Sequence, residues 1–226
     1  MNGQRRVLFL IGSPKGPKST SESLAAYLSN KLQEKGIDTE KCYVYPSFKS
    51  DKGQEELSSA VDRSDILILV FPLYVDSLPS LVIRAMEVIA EHRKKITNVK
   101  RQKFVAITNC GFPEAHQTET ALAICRRFAG ETGMEWLGGL GLGMGGAINR
   151  KPLEELGFMT RNVRKSLDLT AAALAGGESV PQEAVDLMSR RLLPVWLYLY
   201  FGNRGWKRHA RKNNVLEKIE DRPYQG

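Results

Sequence analysis

Residues 7–23 read VLFLIGSPKGPKSTSES, and the reading of this stretch decides the fold. Val7–Ile11 is an unbroken apolar run, the composition of a strand covered on both faces. Leu24, Leu28 and Leu32 then recur at helical spacing. Between them, residues 12–23 form a loop punctuated by Gly and Pro and dense in hydroxyls and lysines. A buried strand, such a loop and then a helix make an anion site, because free backbone N–H groups and the positive end of the helix macrodipole converge there. Ser13, Ser19, Thr20 and Ser21 can add hydroxyl donors, and Lys15 or Lys18 can add charge. The stretch predicts a ligand carrying a phosphate.

Two familiar phosphate loops do not fit it. A nucleoside-triphosphate cradle needs G-x-x-x-x-G-K-[ST]. Here Gly12-x-x-x-Gly16-Pro17-Lys18-Ser19 has the wrong spacing, and Pro17 removes an amide donor. The later apolar run also leads into Phe71-Pro72 rather than a magnesium-binding acid. The dinucleotide fingerprint G-x-G-x-x-G is absent from the loop.

Composition sets outer bounds. The 226 residues suffice for one large domain, or a domain with an appendage. With 42% hydrophobic and 26% charged residues the chain reads as an ordinary globular protein. Arg5 and Arg6 precede an apolar run too short for a signal-peptide core, and no segment approaches the roughly 20 apolar residues that span a bilayer. A cytoplasmic protein is expected. Cys42, Cys110 and Cys125 are too scattered for a disulfide framework, a zinc site or an iron–sulfur cluster, and His92, His116 and His209 are equally dispersed. No metal site is expected. The net charge of +8 favours polyanionic partners, although much of the excess lies near the C-terminus.

Strand and helix patterns alternate through about 145 residues. Strands are predicted at Val7–Ile11, Ile37–Tyr45, Asp65–Phe71, Phe104–Thr108 and Met134–Leu142, with residues 46–53 as a loop and a weak helix at Gln54–Arg63. Leu78, Leu81, Val82, Ala85, Met86 and Ile89 give an amphipathic helix ending in HRKK, and Ala121–Phe128 lies in another. This order predicts an α/β fold with a doubly wound, five-stranded parallel sheet. Ligands of such sheets bind at the carboxyl ends of the strands, so the loops after strands one, three, four and five carry the interest.

After strand three comes FPLYVDSLPS, residues 71–80, where two prolines stiffen a loop bearing Tyr74. Tyr74 can serve as a platform for a flat conjugated ring or simply pack on the following helix. After strand four comes NCGFPE, residues 109–114. The amides of Asn109 to Gly111 could donate to the carbonyls of a bound heterocycle. Cys110 lacks a histidine or acid at a spacing that would activate it and reads as a buried structural cysteine.

The loop GSPKGPKSTSES, the segment FPLYVDSLPS and the turn NCGFPE, in this order, resemble the flavodoxin-like NAD(P)H-dependent FMN reductases and quinone reductases over about residues 5–148. The resemblance implies that Ser13, Lys15, Ser19 and Ser21, with Thr20, hold the FMN phosphate. It implies that Pro72, Leu73, Tyr74 and Val75 flank the isoalloxazine ring, and that Asn109, Cys110 and Gly111 meet the ring edge. The implied cofactor is FMN with NAD(P)H as co-substrate, passing hydride to a small acceptor such as free flavin or quinone. The cofactor carries that chemistry, so no catalytic side chain is nominated. An alternative is a flavodoxin-like electron carrier without nicotinamide activity. Short flavodoxins are typically acidic whereas this chain is basic, which favours the enzyme. The first loop is longer and richer in lysine than the family's short form.

The division expected from sequence is a flavodoxin-like FMN-binding domain at residues 1–149 and a C-terminal helical extension at residues 150–226. The tract GGLGLGMGGAI, residues 138–148, could approach the flavin as a gating loop or be a plain mobile turn, with the turn preferred. In the extension, Leu192, Leu193, Trp196, Leu197 and Tyr200 form an apolar stripe, followed by Arg204, Lys207, Arg208, Arg211 and Lys212. Packing against a partner subunit in a homodimer or homotetramer is the favoured role, since reductases of this type are commonly dimers or tetramers. A peripheral anionic membrane comes second and nucleic acid third.

Overall fold

The computed structural model describes residues 5–97 and 100–222. Its strands are β1 (Arg6–Ile11), β2 (Asp38–Tyr43), β3 (Ile66–Pro72), β4 (Lys103–Asn109) and β5 (Glu135–Leu142), apolar and buried in β1, β3 and β4 and polar in the edge strand β2. They form one parallel sheet in the order β2-β1-β3-β4-β5. The register keeps the strands level: Ile11 lies opposite Val70, and Pro72, Asn109 and Leu142 lie side by side. The connections that leave the carboxyl ends therefore emerge along one line.

The intervening helices are α1 (Thr20–Gln33), α2 (Val44–Ser47), α3 (Asp51–Arg63), α4 (Ser80–Lys95) and α5 (Glu119–Glu131), followed by α6 (Arg161–Gly176), α7 (Gln182–Met188) and α8 (Val195–Lys212). Strand side chains alternate between faces. Leu8, Leu10, Leu67, Leu69, Phe71, Phe104 and Ala106 share one core with α3, α4 and α5. Val7, Phe9, Ile11, Ile68, Val70 and Ile107 turn the other way and are fully buried. That face lies on the side of α1, which packs on β3 and against α6. Tyr27 of α1 and Asp168 of α6 close this contact with a 3.0 Å hydrogen bond.

Three local expectations change. Residues 46–53 are largely helical, because Ser50 caps α3 by accepting from the Gly53 amide at 3.2 Å and so starts that helix three residues early. The helix after β3 begins at Ser80, behind Pro79, and not at Leu78. The glycine tract is no mobile turn over its first half: residues 138–142 are strand β5. Its glycines admit neighbours, since a Cβ on Gly139 would stand 2.9 Å from Leu122 of α5, and one on Gly141 would strike the Thr118 hydroxyl.

The chain forms two compact units, Met1–Leu192 and Leu193–Gly226. The first extends well past residue 149, because α6 and α7 carry the apolar faces that pack on α1 and β5. Leu192 is buried with the first unit, ahead of α8, and so leaves the apolar stripe read from sequence. The second unit consists of α8 and a short helical turn at Leu216–Lys218. No helix among the described residues is long and apolar enough to cross a membrane.

Candidate functional site

Gly12 ends β1 flush against its neighbours. Its amide donates to Val70 O at 2.8 Å, and a Cβ there would lie 2.5 Å from Val82 Cγ2 and 2.9 Å from Phe71 Cβ. From this point the chain turns through Ser13–Lys18. Ser13 O accepts from the Gly16 amide at 3.0 Å, and Gly16 takes a φ of +53°, which glycine adopts without steric cost. Ser19 caps α1, its Oγ accepting from the Glu22 amide at 3.1 Å and donating to Gly16 O at 2.7 Å. Thr20 and Ser21 stand in the first turn, where amides have no carbonyl one turn back. Lys15 and Lys18 are exposed beside them.

The hydroxyls of this loop divide in two. Ser19 and Thr20 spend their protons inside the protein, Thr20 by donating to Gly145 O at 2.9 Å. Ser13 Oγ accepts from the Lys15 amide at 3.3 Å and Ser21 Oγ accepts from Asn109 Nδ2 at 3.0 Å, so each retains its own proton for donation. Both residues are nearly buried.

At the end of β3, residues 74–77 form a two-residue hairpin. The Tyr74 amide donates to Ser77 O at 2.9 Å, and the Ser77 amide donates to Tyr74 O at 3.1 Å. Val75 and Asp76 between them have φ of +49° and +58°, the sign required by the mirror-image hairpin turn. Asn-Gly suits that turn; a β-branched Val there is strained. Val75 is also 97% exposed, so nothing in the chain covers the residue that bears the strain. Tyr74 projects into solvent beside it, while Pro72 and Leu73 are half-buried and the Leu73 amide donates to Asn109 O at 2.8 Å. Burial raises the Tyr45 phenol pKa, and the nearby Tyr74 phenol raises it further. Tyr45, in α2 behind β2, thus joins this neighbourhood. The sequence reading missed it because Tyr45 read as the last residue of the second strand, whereas the strand ends at Tyr43 and Tyr45 lies in α2.

The β4 turn serves mainly to tie the loops together. Asn109 Nδ2 reaches Ser21 Oγ in α1 and Phe71 O in β3 at 3.2 Å. The Cys110 amide donates to Leu142 O at 2.9 Å, so it is already occupied and does not point to a ring edge as the sequence suggested. Cys110 itself is buried, and burial pushes its thiol pKa up. A buried thiol whose pKa is raised is the environment of a structural cysteine. Gly111 and Phe112 lie exposed beyond it. The loop after β5 closes over the same turn: Gly145 N donates to Cys110 O at 2.8 Å and Met144 N to Phe112 O at 2.7 Å. A Cβ on Gly145 would stand 2.8 Å from Asn109 Oδ1, so only glycine fits there.

The structure thus gathers Ser13, Lys15, Ser19, Thr20 and Ser21 around one helix N-terminus. It links them through Asn109 to the β3 hairpin and the β4 turn. Chemically, this edge offers amides, two free hydroxyls and two lysines for an anion, next to exposed apolar and aromatic side chains for a flat body. A nucleotide monophosphate with a planar ring, such as FMN, matches that donor set.

A family model described as flavodoxin-like fold matches residues 5–154. No curated protein matches the chain by sequence. Among solved structures, a candidate quinone reductase from Klebsiella pneumoniae shares 13% identity over 79% of this chain and 88% of its own, with a TM-score of 0.55. An FMN-dependent NADH-azoreductase from Bacillus anthracis, in complex with FMN, shares 14% identity over 76% of this chain and 100% of its own, with a TM-score of 0.52. Rubredoxin oxygen:oxidoreductase from Desulfovibrio gigas shares 12% identity over 77% of this chain and 36% of its own, with a TM-score of 0.54. At these identities the likeness is one of fold.

Proposed function

The chain belongs to the flavodoxin-like family, and from that premise we propose that it is an FMN-dependent oxidoreductase that takes hydride from NAD(P)H and passes it to a small acceptor such as free flavin or a quinone. The observation that carries the reading is the convergence, at one sheet edge, of an anion-binding helix start with a strained hairpin left open to solvent. The FMN named with the Bacillus anthracis structure is the ligand this edge suits.

In this reading the phosphate rests on the amides of the 12–21 loop, with Ser13 and Ser21 hydroxyls donating and Lys15 or Lys18 supplying charge. Ser19 and Thr20 shape the loop through their internal bonds and contact the phosphate through their amides. The ring lies beside Pro72, Leu73, Tyr74 and Val75. When bound, the flavin supplies hydride acceptance from the nicotinamide and onward reduction of the acceptor. The protein's share is to orient the ring and to hold donors near its carbonyl edge. Asn109 acts by tying the loops, and Gly111 lies exposed in its turn.

The test is the absorption spectrum of the purified protein, followed by anaerobic mixing with NADPH or NADH. A yellow protein that releases FMN on denaturation and bleaches with a nicotinamide supports the proposal. Bound FMN that neither nicotinamide bleaches leaves the electron-carrier reading in its place. Failure to bind FMN when titrated with it overturns both.

A further inference from the structure

We propose that α8 is a membrane-contact helix that lies in the interface of a bilayer bearing anionic lipid. The inference rests on the second compact unit alone and is independent of the flavin reading. Over its 18 residues α8 buries only Ala210. Trp196, Leu199, Tyr200, Phe201 and Trp206 are exposed, with Trp196 at 70% and Trp206 at 74%. Single exposed apolar residues are ordinary; five on one helix require a partner.

Charge identifies the partner. Residues 192–203, LLPVWLYLYFGN, contain no charged side chain. The next nine residues contain Arg204, Lys207, Arg208, Arg211 and Lys212, spaced i, i+3, i+4, i+7, i+8, which places all five cations on one helix face. Leu199 and Trp206, seven residues apart, lie on the opposite face. From Leu187 to Leu216 the chain has no Asp or Glu at all. The helix is therefore apolar and aromatic at one end and, at the other, has a tryptophan face opposed to a basic face.

A bilayer interface matches each part of this pattern. Indole and phenol rings settle at headgroup depth, and a basic face gains from anionic lipid within a Debye length. At 18 residues the helix is about 27 Å long, and its charged half prevents it from spanning. Two other partners match less well. Pairing with the same helix of a second copy through the Leu199 and Trp206 face would cover those side chains but leave the basic face of each helix without a counter-charge, since neither helix carries an acid. Nucleic acid would meet the basic face, where Tyr200 stands with Arg204, Lys207, Arg208 and Arg211, but would leave exposed Leu199 and Trp206 on the opposite face uncovered.

The full chain is sedimented with vesicles of phosphatidylcholine alone and with vesicles containing phosphatidylglycerol, at low and high salt, while tryptophan emission is recorded. Binding to the anionic vesicles with a blue shift is expected, with a loss of at least tenfold on neutral vesicles. Lys207→Gln with Arg211→Gln should weaken partitioning by roughly 25-fold, at about fivefold per cation near the surface. Trp196→Ser with Trp206→Ser should lower the fraction that sediments with anionic vesicles by at least tenfold although every cation remains. Thermal melts matching wild type show that these exposed substitutions leave the fold intact. Lack of binding to anionic vesicles at low salt overturns the proposal, as does binding that neither pair of substitutions changes. Two further results overturn it when vesicles are not bound: a dimer broken by the tryptophan substitutions, which assigns α8 to a second copy, and binding to a duplex oligonucleotide, which assigns it to nucleic acid.

Discussion

The two ends of the same sheet handle polar groups in opposite ways. At the amino ends of the strands, Arg93 is only 5% exposed, yet each nitrogen of its guanidinium finds an acceptor within the chain. It donates to Thr132 O at 2.9 Å, to Gln102 Oε1 and to Lys100 O. Gln102 in turn donates to Val61 O and to Ser64 O at 3.0 Å. At the carboxyl ends, Val75 and Asp76 sit at positive φ, Tyr74 and Phe112 face solvent, and the first-turn amides of α1 have no carbonyl to meet. One end is closed on itself; the other stores strain and keeps donors in reserve. Strain that nothing among the described residues repays is the reason the proposed ligand is placed at this end.

Substitutions that separate stability from FMN binding test this contrast. The largest effect should come from Arg93→Met, which strands Gln102 Oε1 and the Thr132 carbonyl in a buried site. A loss of about 3 kcal/mol in urea unfolding is expected, with FMN affinity unchanged. Equal damage to FMN binding would show that the two ends are not independent. Asn109→Ala should cost less, about 2 kcal/mol, because Phe71 O and Ser21 each lose a partner. Here FMN affinity should fall as well, since Asn109 links α1 to β3. Fluorescence titration with FMN distinguishes the two variants.

The strands and the loops that matter were legible in the sequence, because a strand buried on both faces is an apolar run and its closing loops carry Gly, Pro and hydroxyls. What stayed hidden depends on partners distant in sequence. Nothing around Thr20 announces that its hydroxyl turns to Gly145, 125 residues away. Nothing in NCGFPE shows that the Cys110 amide is taken by Leu142. The glycines of β5 looked flexible because sequence cannot show Leu122 and Thr118 pressed against them. The first unit runs to Leu192 because the apolar face of α6 finds α1, a pairing that becomes visible only in three dimensions. Val75 could be read as a loop residue, but its positive φ could not.

Val75→Gly examines the strained turn directly. Glycine takes a positive φ without the Cβ clash, while losing more freedom on folding, so a net gain of about 0.5–1 kcal/mol is expected in chemical denaturation. If the Val75 side chain meets the flavin ring, the same variant binds FMN more weakly, so stability and affinity move in opposite directions. A destabilised variant would mean that the side chain is supported from within the chain, contrary to its exposure.

The smallest effect comes from the closed end and has a defined pH window. Burial would raise the Asp65 pKa. The Lys100 ammonium at 2.7 Å and the Arg6 amide, also at 2.7 Å, outweigh burial and hold the carboxyl below its ordinary value. A carboxylate with a lowered folded pKa contributes stability that is fully present above its unfolded value, about 3.9, and that is lost as pH falls through the folded one. The group is partly exposed, so solvent screening keeps the contribution small. Melting temperatures of wild type and Asp65→Asn should therefore differ by a constant amount from pH 7 down to about pH 5, with the gap closing below about pH 4. A gap that widens on acidification would reverse the sign of this coupling. It would also mean that the closed end, like the open one, holds a polar group that its neighbours do not satisfy.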